Sequence, residues 1–391
     1  MHDLTLCVHH PAVSQEGFAS LTVPTHRAST IVYEDAGSFA QRKQRGPDGY
    51  SYGLQGTPTT RTLETQLSAL HGGTKTVLTP SGQAAVTLVM LSVLLPGDKV
   101  LIPDTVYPPV RDFCTAYLAP RGIGFIVYDP MLGAGIASLI DERTRLVWVE
   151  SPGSGTMEVQ DLPAIARAVK SRGVLLGCDN TWASPLLFKP LSHGADFAVE
   201  ALTKYVGGHS DLLLGSVTVR DAALQGELKR TLTTLGIGVS PDEVSLALRG
   251  IETMGVRLAH SGRVAEEFAH RLQDASSVDS VLHPALPGCP GHDAFQRDFA
   301  GSSAVFSVVL KSGLEHKLDA ALNAMRLFAI GASWGGTRSL IAPMAITRTA
   351  VPWVRRGPVL RLSIGLEDAD ELWADLETFL RVIEAPAEQV A

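Results

Sequence analysis

Between Thr59 and Arg220 short β-branched, apolar runs alternate with stretches of helical period, and this alternation constrains the fold more than any other feature of the chain. The runs are Lys75 to Thr79, Lys99 to Ile102, Gly124 to Tyr128, Arg145 to Val149, Val174 to Cys178 and Asp196 to Ala201. Strands separated by helices are joined by crossovers, so the pattern predicts an α/β unit whose mostly parallel central sheet is covered by helices. An open sheet of this kind binds its ligand beyond the carboxyl ends of the strands. The loops leaving these runs carry most of the polar candidates. Residues 1–54 show little period and many Gly, Ser, Gln and Arg, as expected of an extended arm. After Ser240-Pro241 a long helical pattern, Glu243 to Leu272, leads into a second block with strand-like Ser303 to Leu310 and Val359 to Ile364 and a final helix from Ala369 to Ile383. The expected organisation is therefore an N-terminal arm (1–54), a large domain (55–249) and a smaller C-terminal α+β domain (250–391).

A chain of 391 residues allows two or three domains of about 100 to 200 residues each. Its 45% hydrophobic and 19% charged content is that of a globular protein rather than a disordered one. The net charge of −7, without a dense lysine and arginine cluster, argues against nucleic acid as a partner. The most apolar run, Ala84 to Leu95, is interrupted by Thr87 and Ser92 and closed by Pro96-Gly97-Asp98. It is well short of the ~20 residues a bilayer span needs, so it predicts a buried helix, and no membrane partner is expected. Around His2, Asp3, His9 and His10 no basic segment precedes an apolar one, so a signal peptide is not indicated and the cytoplasm is the expected location. Cys7, Cys114, Cys178 and Cys289 lie far apart with no C-x-x-C, which disfavours a disulfide framework or a zinc knuckle. The 12 histidines show no H-E-x-x-H spacing, and no metal site is expected.

Ser81-Gly82-Gln83 lies between a strand and the buried helix, so free amides and a helix dipole would face the sheet's crevice as an anion cradle. The alternative is a plain N-cap by Ser81. Asp179 follows one strand and Lys204 another, 25 residues later, within Thr203-Lys204-Tyr205-Val206-Gly207-Gly208-His209. A carboxylate and an amine at two strand ends suit pyridoxal phosphate: the lysine forms the Schiff base, and the aspartate keeps the pyridine nitrogen protonated. A lone lysine is usually a solvated surface group, but Ala201, Leu202 and Val206 make an unpromising surface segment. Gly331-Ala332-Ser333-Trp334-Gly335 matches the G-x-S-x-G elbow of serine hydrolases, yet no histidine follows His316 to complete the usual order. Ser333 is open to a ligand-orienting or a simple turn role. Arg361 shares a strand face with Val359 and Ser363, where its fork would suit a carboxylate or lie on the solvent side. Tyr52 and Tyr107 lie in loops, as packing residues or as phenols that contact phosphate or stack on a flat ring.

Asp179-Asn180-Thr181-Trp182 and Thr203 to Asp211 together resemble the Cys/Met-metabolism family of pyridoxal-phosphate enzymes, and the likeness runs from Tyr52-Gly53 through Gly365-Leu366. Within it, Glu150-Ser151-Pro152-Gly153-Ser154, Thr156-Met157-Glu158-Val159, Phe295 to Ser303 and Ser333-Trp334-Gly335-Gly336 are most similar to the bacterial cystathionine β-lyase branch. The resemblance implies a fold-type-I, pyridoxal-phosphate-transferase-like architecture. It also implies α,β-elimination of L-cystathionine, with L-cysteine or related thioethers as further substrates and γ-elimination or γ-synthesis as the alternative within the family. It makes Lys204 the Schiff-base lysine and proton shuttle, Asp179 the pyridinium partner and Tyr107 the stacking ring. Gly82, Gln83 and Thr203 would hold the phosphate, joined by Tyr52 of a neighbouring subunit in a homotetramer with shared sites. Arg361, Ser333 and Trp334 would hold the substrate's α-carboxylate. Three positions depart from the family pattern: Leu54 replaces a common arginine, Ala201 a common serine, and Arg338 a common acid. The first two remove phosphate ligands, and the third bears on the substrate.

Overall fold

A computed structural model describes residues 16–386; Cys7 and the N-terminal histidines fall outside this range. Seven strands form the first sheet: β1 (Lys75–Thr79), β2 (Lys99–Pro103), β3 (Gly124–Tyr128), β4 (Thr144–Glu150), β5 (Leu175–Asp179), β6 (Phe197–Glu200) and β7 (Gly215–Val219). Their order is β1-β7-β6-β5-β4-β2-β3. Neighbours from β6 through β3 run parallel, and β7 alone is reversed, antiparallel to both β6 and β1. The predicted mostly parallel sheet is therefore present. The reversed β7 escaped the alternation pattern because the chain returns to it through a turn instead of crossing over in a helix.

Both faces of this sheet are buried, which explains the nearly unbroken apolar runs. Val100, Ile102, Leu146, Trp148, Phe197 and Val199 pack on one side, and Leu101, Val147, Val149, Leu176 and Cys178 on the other. Gly177 lies in register with Trp148, and a Cβ there would sit 2.5 Å from the indole ring. Only glycine lets the indole lie across β5. Helix α1 (Pro58–His71) opens with a capping box between Thr57 and Thr60. Helix α2 (Gly82–Val93) follows β1 directly, capped by the Ser81 hydroxyl, which accepts from the Ala84 amide. Helix α3 (Pro108–Phe113) follows β2.

The single long helix expected from Glu243 to Leu272 is two helices, α4 (Pro241–Glu252) and α5 (Met254–Leu272), broken at Thr253. The buried Arg257 guanidinium donates to the carbonyls of Gly250 and Tyr205, so the end of α4 is tied to the turn that carries Lys204 instead of running on into α5. The second sheet, β8 (Val278–Leu282), β9 (Val305–Leu310), β10 (Ala329–Ile330), β11 (Leu340–Met344) and β12 (Val359–Ser363), has the order β10-β11-β12-β9-β8 and is antiparallel except for β10 and β11. Phe268 and Leu272 of α5, with Leu372, Leu376 and Phe379 of α6 (Ala369–Glu384), form a core with β-strand residues Phe306, Val308, Leu360 and Leu362. Val305, Val309 and Val359 belong instead to the core of the first sheet, and Trp182 Nε1 donates to the Val305 carbonyl at 2.9 Å. No helix among the described residues is long and apolar enough to cross a membrane, and no cluster of His, Cys, Asp and Glu among them is placed to hold a metal ion.

Candidate active site

The polar candidates converge where β1, β2, β4, β5 and β6 end. Asp179 is the last residue of β5, and its Oδ1 accepts from both the Thr181 amide (2.9 Å) and the Thr181 hydroxyl (2.6 Å). The same hydroxyl accepts from the Ala201 amide, which joins the aspartate to the lysine turn. Burial pushes the Asp179 carboxyl above its usual range against the pull of Thr181. A carboxylate held this way gains from a cationic partner, and both Thr181 bonds leave Oδ2 with its accepting capacity.

Lys204 follows β6 in the turn after Ala201. Its Nζ donates to Ser333 Oγ at 2.7 Å and lies 5.1 Å from the Trp334 ring centroid. Burial first and the Arg361 charge second, against the opposing pull of Asp179, lower the ammonium's pKa to about 8. Arg361, on β12, donates through Nη2 to the Ser333 carbonyl at 2.9 Å. Ser333 therefore bridges the amine and the guanidinium, with its backbone in the left-handed region (φ 72°). Gly335 packs directly on Lys204, where a Cβ would come within 3.3 Å of the lysine Cβ. The hydroxyl's partner is a lysine, so the acid and histidine of a serine-hydrolase elbow have no counterpart at Ser333 among the described residues.

The amides of Gly82 and Gln83 open α2 and make no hydrogen bond to any described residue. A Cβ at Gly82 would meet the Ala201 Cβ at 2.4 Å, so the helix start abuts the lysine turn. Two free amides, a helix dipole, an amine and a carboxylate at adjoining strand ends fit a phosphorylated pyridine aldehyde. The Thr203 hydroxyl sits in the same turn but donates to the Leu214 carbonyl and accepts from the Leu214 amide, so its proton is already engaged. The Tyr107 phenol, about half exposed, is raised in pKa by burial and by the charges of Glu150 and Asp179, against Arg361. Tyr52 is exposed and makes no hydrogen bond or ring contact with this cluster among the described residues.

The profile of the Cys/Met metabolism PLP-dependent enzyme family matches residues 4–381. The chain belongs to this family. A relative from Rhizobium johnstonii, named a putative cystathionine beta-lyase, is 43% identical over 90% of this chain and 89% of its own length. The cystathionine beta-lyase of Bordetella avium is 40% identical over 92% of both chains. Among solved structures, the cystathionine gamma synthase of Xanthomonas oryzae pv. oryzae in complex with cystathionine superposes with a TM-score of 0.87 at 32% identity, over 94% of this chain and 95% of that one. Membership makes pyridoxal phosphate the cofactor of this chain.

Asp104, just after β2, accepts from the Arg111 and Arg348 guanidinium groups and from the amides of Thr349, Ala350 and Val351. Arg348 also bonds Glu158 at 2.7 Å, so the loop between β11 and β12 is pinned onto the first sheet next to Tyr107. Burial alone would raise the Asp104 pKa, but Arg111 and the three amides outweigh it and bring it down to about 2. A carboxyl lowered in the folded state stabilises the fold above its unfolded pKa and loses that contribution as pH falls toward the folded value. Asp104→Asn is expected to lower unfolding stability by about 2.5 kcal/mol at pH 7. In denaturant melts the gap from wild type should stay constant above pH ~4 and close between pH ~4 and ~2; a gap unchanged at pH ~2 contradicts this. Asp104 and Arg348 are 244 positions apart, and no spacing rule links them. Glu150, noted in the sequence only as part of a branch-like string, accepts from the Tyr107 amide, and a lone acid ending an apolar strand, Trp148-Val149-Glu150, is a readable signal.

Proposed function

We propose that this enzyme is a pyridoxal-phosphate-dependent carbon–sulfur lyase that cleaves L-cystathionine to L-homocysteine, pyruvate and ammonia by α,β-elimination. The observation that carries the reading is the Lys204–Ser333–Arg361 chain of hydrogen bonds, which sets one amine base beside one guanidinium fork at the end of the strand next to Asp179. Pyridoxal phosphate, when bound, supplies the sink for the electron pair released as the Cα–H bond breaks. Asp179 would hold a proton at the pyridine nitrogen, and the amides of Gly82 and Gln83 would receive the phosphate. The Arg361 fork, steadied by the Ser333 carbonyl, would take the substrate's α-carboxylate, with Trp334 as the adjoining wall. Lys204 Nζ, with a pKa near 8, is poised to take the proton from Cα and return it to the departing sulfur. Positioned acid–base help of this kind is worth about 10² to 10⁴ in rate.

The β-lyase names of the two relatives support cleavage at the Cβ–S bond, whereas the cofactor residues would serve γ-chemistry equally well. The deciding experiment is to incubate purified holoenzyme with L-cystathionine and identify the products by mass spectrometry. Pyruvate with homocysteine is expected; predominant 2-oxobutyrate with cysteine makes the enzyme a γ-lyase with the same residues.

The reading extends to organisation. Residues 1–54 act as an arm to a neighbouring subunit, 55–249 as the cofactor domain and 250–391 as the smaller domain. Homotetramer assembly would bring Tyr52 of a neighbour to the phosphate, and its exposure, without a hydrogen bond or ring contact to its own chain's cluster among the described residues, supports this. Leu54 adds no charge to that contact, so the phosphate relies on amides and the helix dipole. A cytoplasmic location accords with the free, buried state of Cys114, Cys178 and Cys289.

A further inference from the structure

The Tyr107 ring has no aromatic partner, and its hydroxyl no hydrogen bond, among the described residues. Its backbone, in contrast, is tied at two points. Pro108 and Pro109 follow it and lack amide hydrogens, so the Tyr107 amide is the last donor of the loop before α3. That amide donates to Glu150 Oε2 at 2.7 Å. Two residues on, the Pro109 carbonyl accepts from Gln83 Nε2 at 3.0 Å, while the other end of that carboxamide, Oε1, is buried without a partner. Glu150 ends β4 directly in register with Asp179 at the end of β5. One strand pair therefore carries both the aspartate and the acceptor that holds the tyrosine loop.

We propose that Glu150 and the Gln83 carboxamide are positioning residues that grip the Tyr107 loop at two backbone points and so set the plane of its ring relative to Asp179. This rests on the reading of Tyr107 as the ring that stacks on the cofactor. The role asks Glu150 only to accept a hydrogen bond. Burial, then the Asp179 charge, push its carboxyl well above the usual range and favour the neutral form, so a glutamine can take its place. Misplacing a reacting group by ~1 Å costs on the order of 10² in rate, and a loop released at one of two points should approach that figure.

The test uses holoenzyme variants Glu150→Gln, Glu150→Leu and Gln83→Leu, each alone and combined with Tyr107→Ala. It measures kcat and KM on L-cystathionine and the visible circular dichroism of bound pyridoxal phosphate, which reads the ring's surroundings rather than the fold. Glu150→Gln should stay within roughly threefold of wild type, and Glu150→Leu should lose roughly 10- to 100-fold in kcat with an altered visible signal. In the Tyr107→Ala background Glu150→Leu and Gln83→Leu should add nothing further, because the ring they place is gone. Losses that multiply in the double variants, or a Glu150→Gln enzyme as impaired as Glu150→Leu, overturn the proposal. A silent Glu150→Leu beside an impaired Tyr107→Ala overturns the positioning role alone; a silent Tyr107→Ala overturns the stacking role and the proposal with it. Should Glu150→Leu fail to fold, the Gln83→Leu and Tyr107→Ala pair decides by the same criterion.

Discussion

Lys204→Ala is expected to lower kcat on L-cystathionine by about 10⁴-fold, the upper end of what a positioned acid–base group supplies, with the fold intact. The amine is placed by a direct bond to Ser333 and by Gly335 packed against its stem, and the substitution removes that hydrogen bond and the contact with the Trp334 ring while keeping the Cβ on which Gly335 packs. The loss should therefore fall on chemistry. Lys204→Arg should do no better, since a guanidinium stays protonated at any working pH, whereas burial has already lowered the lysine's pKa to about 8. The purified wild-type protein should carry the visible absorbance of lysine-bound cofactor, and both variants should lose or shift that band. Wild-type turnover by Lys204→Ala would remove the lysine from the mechanism.

Asp179→Asn should cost roughly 10²-fold or more in kcat, the scale of losing one preorganised electrostatic contact. Asparagine keeps an oxygen for the Thr181 amide and hydroxyl but cannot hold a proton at a pyridine nitrogen. Burial is the leading influence on this carboxyl and raises its pKa, so ionised Asp179 works against folding above the ordinary carboxylate range. The cofactor-free Asp179→Asn protein is accordingly expected to melt no lower than cofactor-free wild type at pH 7. Loss of turnover without loss of melting temperature separates a functional carboxylate from a structural one. A variant that melts markedly lower and turns over normally reverses the assignment.

Asp179 and Lys204 are legible in the sequence because each ends or follows an apolar strand, and the alternation of strands and helices already places such ends along one edge of the sheet. Ser333 and Arg361 were legible as residue types, but their distance from the lysine was not. They lie 129 and 157 positions beyond it in the numbering, and the second sheet has to dock through Val305, Val309 and Val359 before they meet. Thr203 shows the reverse limit. Its neighbour in sequence is Lys204, yet its hydroxyl is engaged by Leu214 because β7 returns antiparallel beside β6.

The residue order alone determined the parallel core, since buried strands need continuous apolar runs and crossover helices need their own period. It also singled out Lys204 and Asp179 as the candidate amine and acid. The tertiary structure decided which groups those residues face: the Glu150 acceptor beneath Tyr107, the Asp104 cluster that fastens the β11–β12 loop, and the break at Thr253 that frees Arg257 to hold the lysine turn. Local periodicity follows from the backbone geometry of neighbouring residues, whereas a hydrogen bond between side chains far apart in sequence exists only once the packing of whole elements has brought the donor to its acceptor.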